Sequence, residues 1–163
     1  MDVILIAAIT VDGYIARHSN EVVDWSLDLR LFRKQTMGYP VIMGSQTKKT
    51  LAMDLDGRET IVVHRHNDPE IILGKLHSEK CFVIGGGKTY TRFAPYLTHL
   101  FLTAHPLIFG GGVPLFPDLD EEIDLIFLQM ISVEGREGLY PVSYTHLRAH
   151  ETDSYLVCRL LLE

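Results

Sequence analysis

The chain has few of the residues that mark metal centres, disulfide scaffolds or membrane segments. Its 163 residues include two cysteines, Cys81 and Cys158, which provide neither a thiolate cluster nor a disulfide framework. No apolar run reaches the roughly 20 residues that cross a bilayer, and no basic segment precedes the first apolar run, which starts at Val3. We therefore predict a cytoplasmic protein with no metal site and no membrane partner.

Positive charge is also in short supply. Lysine and arginine total 15 against 21 acidic residues, so the formal net charge is -6. This balance argues against a nucleic-acid partner, although an acidic protein can still hold a local basic pocket for a phosphorylated ligand. With 47% hydrophobic and 22% charged residues, the composition is that of one globular domain with a substantial core.

Residues 142–163 do not resemble evolved protein sequence. Codons for this segment can be chosen that reproduce a transposon-type DNA-sequencing adapter in one reading frame, with Asp153 and Ser154 where a sample barcode would lie. A native C-terminal strand is the alternative, because residues 154–162 are largely apolar. We predict a single native domain over residues 1–141, followed by a non-native tail over residues 142–163.

A strand that runs into glycines and then into a helix is the most informative feature of the rest. Phe82-Val83-Ile84 leads into Gly85-Gly86-Gly87 and then Lys88-Thr89-Tyr90. Such a junction lets backbone N–H groups approach a phosphate, because no Cβ intervenes, but it is also compatible with a plain tight turn. Gly44, which follows the apolar run Val41–Met43, repeats the arrangement.

Apolar runs and amphipathic segments alternate along residues 3–104, which predicts an α/β fold with a mostly parallel sheet. A helix is expected over residues 27–37 with Ser26 as its N-cap, and the long polar loop from Asp12 to Trp25 is a candidate lid. The predicted strands are 3–9, 41–43, 60–63, 81–84 and 100–104, and further helices are expected after Thr47, over residues 68–77 and over residues 88–96. Ligands of such sheets bind at the carboxyl ends of the strands.

Several motifs occur together in the order and near the spacing found in the dihydrofolate reductase superfamily, over roughly residues 3–118. They are Ile6-Ala7-Ala8, Asp28-Leu29 with Phe32 and Thr36, Pro40–Gly44 with Thr47, Leu55–Arg58, and Val83–Gly87 with Tyr90 and Thr103. The chain resembles that superfamily, which implies its three-layer fold, a mostly parallel central sheet flanked by helices. Two segments resemble its riboflavin-biosynthesis pyrimidine reductases, namely Asp12–Ala16 and Pro106–Phe116, which contains Gly110-Gly111-Gly112.

The resemblance implies a substrate pocket around Asp28. By position alone, Asp28 is a solvated carboxylate in the first turn of a helix. By resemblance it hydrogen-bonds the amidine-like edge of the substrate, is held by Thr103 and helps to deliver a proton through water, while Trp25 closes the lid side. Ile6, Ala8, Phe32 and Leu51 would line the pocket, and Arg58, otherwise a turn arginine in solvent, would bind a carboxylate of the substrate tail.

The resemblance also implies an NADPH site. His64 and Arg65 would meet the 2′-phosphate, and a metal site at His64-Arg65-His66 is the weaker interpretation. The pyrophosphate and nicotinamide would lie among Gly44, Ser45, Gln46, Thr47, Ile84, Gly85, Gly86, Gly87, Lys88, Thr89 and Tyr90. Ser45 departs from the basic residue common in folate reductases, for which Lys48 or Lys49 could compensate. The resemblance implies a cis peptide between Gly85 and Gly86. It also implies a C-terminal antiparallel hairpin that closes the sheet. If residues 142–163 are not native, residues 124–131 lack their native partner in that hairpin.

Three functions fit these residues. The first is NADPH-dependent reduction of 7,8-dihydrofolate to tetrahydrofolate, favoured by Asp28, Arg58 and Thr103. The second is reduction of the riboflavin precursor 5-amino-6-(5-phosphoribosylamino)uracil, favoured by residues 12–16 and 110–112. The third is a non-catalytic NADPH-binding module. The partner is a small pterin or pyrimidine in the first two cases, and the sequence is compatible with either a monomer or a homodimer.

Overall fold

The computed structural model describes residues 1–51 and 55–146, which form a seven-stranded sheet with helices on both faces. The strands of the main sheet are β1 (Asp2–Thr10), β3 (Val41–Gly44), β4 (Thr60–Val63), β5 (Lys80–Gly85), β6 (His99–His105), β8 (Leu125–Met130) and β9 (Pro141–His146). Two short strands, β2 (Tyr14–Ala16) and β7 (Val113–Pro114), pair separately as an antiparallel ribbon. The helices are α1 (Leu29–Thr36), α2 (Ser45–Thr50), α3 (Pro69–Gly74) and α4 (Gly87–Phe93), the last followed by a 3₁₀ turn at Ala94–Tyr96.

The sheet order is β4-β3-β5-β1-β6-β9-β8, and the first five strands are parallel. One face packs Val83 and Leu5 against Phe93 of α4, and the other packs Ile4 and Met43 against Phe32 of α1. The side chains of β1 and β5 thus alternate between two helix layers, which is why these strands are apolar throughout. The predicted three-layer α/β fold is confirmed.

The chain reverses direction across the sheet between β3 and β5. The connection through α2 leads from β3 outward to β4, whereas the connection through α4 leads from β5 over β1 to β6. Because crossovers between parallel strands are right-handed, the two connections lie on opposite faces. A crevice opens between them at the carboxyl ends of β3 and β5, where ligands of open α/β sheets bind.

Helix α1 begins later than the sequence predicts. Its first helical residue is Leu29 and its N-cap is Asp28, so the prediction that Ser26 caps this helix is wrong. The Ser26 hydroxyl donates instead to Asp28 Oδ1, at 2.8 Å. The serine therefore orients a carboxylate rather than satisfying a backbone N–H group.

The polar loop from Asp12 to Trp25 contains ordered structure. Tyr14 and Ala16 belong to β2, which pairs with Pro114 and Val113 of β7. Asp12 extends this link, because its carboxylate accepts hydrogen bonds from the Thr10 hydroxyl and from the backbone N–H of Gly110, at 2.6 and 2.8 Å. The hydrogen bond from Thr10 is the main reason that the pKa of Asp12 is lowered.

The expectation that residues 124–131 lack a pairing strand is wrong. Strand β9 lies between β6 and β8 and is antiparallel to both, with Ser143 opposite Phe101 on one side and Gln129 on the other. Residues 142–146, which the sequence assigns to the non-native tail, thus close the sheet. The rest of that tail prediction, residues 147–163, falls outside the described residues. Within the part of the chain that is described, no helix has the length and apolar character needed to span a membrane.

Candidate active site

A cavity of about 1040 Å³ opens along the carboxyl ends of the parallel strands. It extends from His64 after β4, past Gly44 of β3 and the glycines after β5, to Ile6 and Ala8 of β1. Adjacent strands are about 4.8 Å apart, so the three steps from β4 to β1 span about 14 Å. This is an elongated cleft, with room for an extended ligand and a second, smaller molecule.

The glycines at the crevice allow the backbone to approach closely. A Cβ on Gly44 would lie 2.7 Å from Thr89 Oγ1, and one on Gly87 would lie 2.9 Å from the carbonyl oxygen of Pro114. Gly85 has a φ of +141°, and the peptide between Gly85 and Gly86 is cis, as the resemblance implies. Side chains are therefore excluded where α2 and α4 begin, and the first residues of both helices line the cleft.

Cationic and imidazole side chains collect at the β4 end of the cleft. Arg65, Lys88 and Arg92 line the cavity together with His64 and His66. The imidazole rings of His64 and His66 are stacked with their centroids 6.0 Å apart, and Arg92 Nη1 donates to the His64 carbonyl oxygen, at 3.0 Å. In a chain of net charge -6, this local positive charge favours a ligand that carries phosphate.

Carboxylates lie at the opposite end, near β1. The Asp28 side chain is 13% exposed and lines the cavity. Its Oδ1 accepts from the Ser26 hydroxyl and lies 4.0 Å from Nε2 of the buried His105. Both contacts fall on Oδ1, so among the described residues none is recorded on Oδ2, which leaves that oxygen available to a ligand.

Glu21 and Trp25 form a second polar contact at this end. Trp25 Nε1 donates to Glu21 Oε1, and Arg17 Nη1 donates to Glu21 Oε2, each at 3.0 Å. Burial raises the pKa of Glu21, but the hydrogen bonds from Arg17 and Trp25, together with the charge of Arg17, leave the pKa below its usual value. The Trp25 ring packs edge-on against His105 and Phe109, at centroid distances of 5.3 and 5.4 Å.

Tyr90 links α4 to β1 across the cleft wall. It follows the glycines on α4, and its hydroxyl donates to the carbonyl oxygen of Ile6 on β1, at 2.9 Å. Burial raises the pKa of this phenol well above its ordinary value. Tyr90 therefore connects α4 to β1 as a neutral phenol.

Arg58 is buried and does not lie in solvent as a turn arginine would. It is 8% exposed, its Nη1 donates to Thr36 Oγ1 at 3.0 Å, and its guanidinium carbon lies 6.0 Å from the centroid of the Phe32 ring. It lines a separate cavity of about 450 Å³ with Lys48 and Leu51. Leu51 lines both cavities, so the smaller one adjoins the cleft on the Phe32 side.

Most of the residues predicted from the sequence meet in the main cleft. Those that line it are Ile6, Ala8, Asp28, Phe32, Gly44, Ser45, Gln46, Thr47, Leu51, His64, Arg65, Ile84, Gly85, Gly86, Gly87, Lys88, Thr89 and Tyr90. Arg58, Thr103 and Trp25 are not among its lining residues. Thr103 is buried opposite Ala8 of β1, and among the described residues no hydrogen bond links its side chain to Asp28. Lys48, considered as a substitute for a basic residue at Ser45, lines the smaller cavity.

The sequence reasoning missed three contributors to the site. His105 and Ser26 hold Asp28 and its loop, and Arg92 adds a cation at the β4 end. The position of Ser26 before a helical pattern predicts a cap, and a lone histidine at a strand end carries no sequence signal. Among the described residues no group of three or more histidine, cysteine or acidic side chains could hold a metal ion.

A family model and the curated relatives match the same family. The family model described as dihydrofolate reductase matches residues 2–126. The chain is 35% identical to the dihydrofolate reductase of Bacillus subtilis over 111 residues, which are 60% of this chain and 66% of that enzyme. It is 31% identical to dihydrofolate reductase type 3 of Salmonella typhimurium over 129 residues, 70% of this chain and 77% of that enzyme.

Two solved structures share the fold. One is the dihydrofolate reductase of Enterococcus faecalis in complex with NADP(H) and RAB-propyl, with a TM-score of 0.72, 19% identity, and coverage of 90% of this chain and 97% of that one. The other is a putative riboflavin biosynthesis protein of Shewanella sp. PV-4, with a TM-score of 0.60, 18% identity, and coverage of 91% and 100%. At 19% and 18% identity, these two structures show a shared fold and nothing further.

Proposed function

The chain belongs to the dihydrofolate reductase family, and we propose that it reduces 7,8-dihydrofolate to tetrahydrofolate with NADPH as the hydride donor. The observation that carries this proposal is a single cleft with phosphate-binding character at one end and the half-buried carboxylate of Asp28 at the other. A reductase that transfers a hydride from a phosphorylated cofactor to a neutral heterocycle needs a phosphate-binding end and a substrate-binding end in the same cleft.

The described residues fit NADPH. Gly44, Gly86 and Gly87 line the cleft without a side chain, at the place where a pyrophosphate would approach the first turns of α2 and α4. His64 and Arg65 would hold the 2′-phosphate, because they follow β4 at the cationic end. Ile84 and Tyr90 would border the nicotinamide, which supplies a hydride when the cofactor is bound.

Asp28 would bind and orient the substrate. A carboxylate can accept two parallel N–H···O hydrogen bonds from an amidine-like edge, which fixes the plane and register of the ring. Reduction of the imine also needs a proton at its nitrogen, and Asp28, 13% exposed at the cavity wall, can pass one from solvent through water. Phe32 and Leu51 would enclose the ring and exclude bulk water.

The proposal is tested by following NADPH oxidation with two substrates in parallel. We expect turnover with 7,8-dihydrofolate and none with 5-amino-6-(5-phosphoribosylamino)uracil. Oxidation with the pyrimidine alone would overturn the folate assignment. NADPH binding without oxidation of either substrate would instead indicate a binding module without turnover.

Substitution of the site carboxylate sharpens this test. Asp28→Asn removes the negative charge and the proton carrier, so we expect kcat/KM for dihydrofolate to fall by about 10²-fold or more. NADPH affinity, measured by quenching of protein fluorescence, should be unchanged because Asp28 lies at the far end of the cleft. Asp24→Asn, an exposed change in the same loop, serves as the matched control and should retain wild-type turnover.

Reduction of the riboflavin precursor is the second candidate, and one observation favours it. Gly112 lines the main cleft, and its segment is fastened to the start of β2 because Asp12 accepts hydrogen bonds from the backbone of Phe109 and Gly110. The two segments that resemble the riboflavin branch thus meet at the cleft wall. The paired-substrate assay distinguishes this candidate directly.

A further inference from the structure

We propose that His105 is a positioning residue, which holds the Trp25–Asp28 segment, residues 25–28, so that the Asp28 carboxylate faces the substrate. His105 ends β6 and is 1% exposed. It does not line the cleft, so it acts through the residues that it holds. The inference rests on the proposed function in so far as Asp28 is the group that contacts substrate.

The two ring nitrogens of His105 have different and complementary partners. Nε2 lies 2.9 Å from the backbone nitrogen of Leu27, which carries a hydrogen and must donate it. Nδ1 lies 3.0 Å from the carbonyl oxygen of Thr103, which can only accept. Both bonds form together only in the neutral ring with its hydrogen on Nδ1. The site therefore selects the Nδ1–H tautomer, in which both ring nitrogens bond to backbone groups.

These bonds fix a loop that has little regular structure of its own. Residues 21–26 lie outside any helix or strand, and Leu27 is 40% exposed, so its side chain contributes little burial. The segment is instead held by the Leu27 N–H on His105 and by the Trp25 ring, which packs edge-on against the imidazole at 5.3 Å. Asp28 is the next residue after this anchor and is the N-cap of α1.

The anchor also sets the distance between Asp28 and the sheet. His105 Nε2 lies 4.0 Å from Asp28 Oδ1, too far for a hydrogen bond, and that nitrogen is already occupied by Leu27. The imidazole thus packs beside the carboxylate while Ser26 binds its Oδ1. In this arrangement β6, which is paired with β1 and β9 in the main sheet, determines the position of the Asp28 carboxylate. A displacement of about 1 Å at such a group can reduce the rate by about 10²-fold.

Two substitutions separate the two bonds. The amide of a glutamine reaches the position of Nε2 and offers an oxygen that accepts from Leu27, whereas the amide of an asparagine reaches only the position of Nδ1. We therefore expect His105→Asn to lower kcat/KM for dihydrofolate by about tenfold or more, and His105→Gln to restore it to within about threefold of wild type. NADPH affinity should be unchanged in both variants. His99→Asn, on the same strand and remote from the cleft, is the matched control.

A second measurement needs no substrate. Trp25 is the single tryptophan in the sequence, so the intrinsic fluorescence of the protein reports on the anchored segment. We expect a red-shifted Trp25 emission in His105→Asn, and wild-type emission in His105→Gln and His99→Asn.

The outcomes are distinguishable. Wild-type turnover and emission in His105→Asn would overturn the inference, and so would a His105→Gln variant as impaired as His105→Asn. If His105→Asn fails to fold by circular dichroism, His105→Gln still decides, because a loss of more than about tenfold in that folded variant contradicts the positioning role. If wild-type protein does not reduce dihydrofolate, the proposed function fails while the fluorescence comparison still tests the anchor.

Discussion

We propose that Arg65 is the residue whose charge bears most directly on the choice between NADPH and NADH. It follows β4, is exposed, and lines the cationic end of the cleft together with His64 and His66, whose rings stack on each other. A guanidinium binds a phosphate in a planar, bidentate manner, which a neutral hydroxyl cannot reproduce. We therefore expect the Arg65 side chain to distinguish NADPH, which carries the 2′-phosphate, from NADH, which lacks it.

Replacement of Arg65 should change discrimination rather than chemistry. For Arg65→Ser we expect the KM for NADPH to rise by about 10- to 100-fold, in line with the loss of a charged hydrogen bond, while the KM for NADH and kcat change little. Steady-state kinetics with both cofactors measure the ratio. Arg136→Ser, an exposed arginine in the turn before β9, is the control and should leave the ratio at its wild-type value. Equal losses for NADPH and NADH would place the 2′-phosphate elsewhere.

At the scale of single elements, α4 depends on a glycine at its first residue. Gly87 packs against the loop that contains Pro114 and Pro117, with the carbonyl oxygen of Pro114 and the ring of Pro117 both 2.9 Å from the place of a Cβ. Neither a backbone carbonyl nor a proline ring can rotate away. The close approach holds β7 against the start of α4, at the wall of the cleft.

Gly87→Ala should thus push the helix away from the β7 segment. We expect a loss of about 1–3 kcal/mol in the free energy of unfolding, typical of an overpacked site, together with weaker NADPH binding. Gly74→Ala, at the end of α3 with nothing within 4 Å of its Cβ position, should stay within about 0.5 kcal/mol of wild type or gain slightly. Urea denaturation of both variants gives the comparison, and equal stability of the two would contradict the packing argument.

Strand β9 shows why the sequence assigns residues 142–146 to a non-native tail whereas the structure places them in the sheet. The resemblance of residues 142–163 to a translated adapter concerns their origin and stays a prediction. Pairing depends mainly on backbone hydrogen bonds and on residues that suit a pleated surface, and Val142, Tyr144 and Thr145 do so. A segment of any origin with that composition can fill the place between β6 and β8. Sequence origin therefore does not decide whether it contributes to the sheet.

Across the whole molecule, the predictable parts are those set by local pattern. The apolar runs at β1 and β5 mark buried strands because both faces are covered. The glycines at the carboxyl ends of β3 and β5 mark the crevice because a Cβ would meet neighbouring atoms there. The roles of Ser26, Thr103 and His105 depend on contacts between distant segments, such as the 78 positions that separate Leu27 from His105. No local periodicity encodes such a contact, so capping was assigned to a serine that orients a carboxylate.

The same connectivity makes the core thiol a reporter of the whole fold. Cys81 lies in β5, opposite Val3 of β1, on the strand that ends at Gly85, one of the glycines proposed to bind the cofactor. It has no solvent exposure, and burial raises its pKa to about 12. Because the thiolate is the reactive form, the fraction available at pH 8 is on the order of 10⁻⁴ in the folded state. A thiol reagent should therefore label Cys81 only when the sheet opens.

In a Cys158→Ser background, which leaves Cys81 as the single thiol, we expect native-state labelling to be slow and labelling in urea to be complete. NADPH at about 100 times its Kd should slow the labelling by about 100-fold, because it binds the folded state alone and stabilises it by about 2.7 kcal/mol. Dihydrofolate added without NADPH provides the comparison ligand at the other end of the cleft. Labelling that NADPH leaves unchanged would mean that β5 opens without disturbing the cofactor site, which the continuity of Cys81 with Gly85 on one strand argues against.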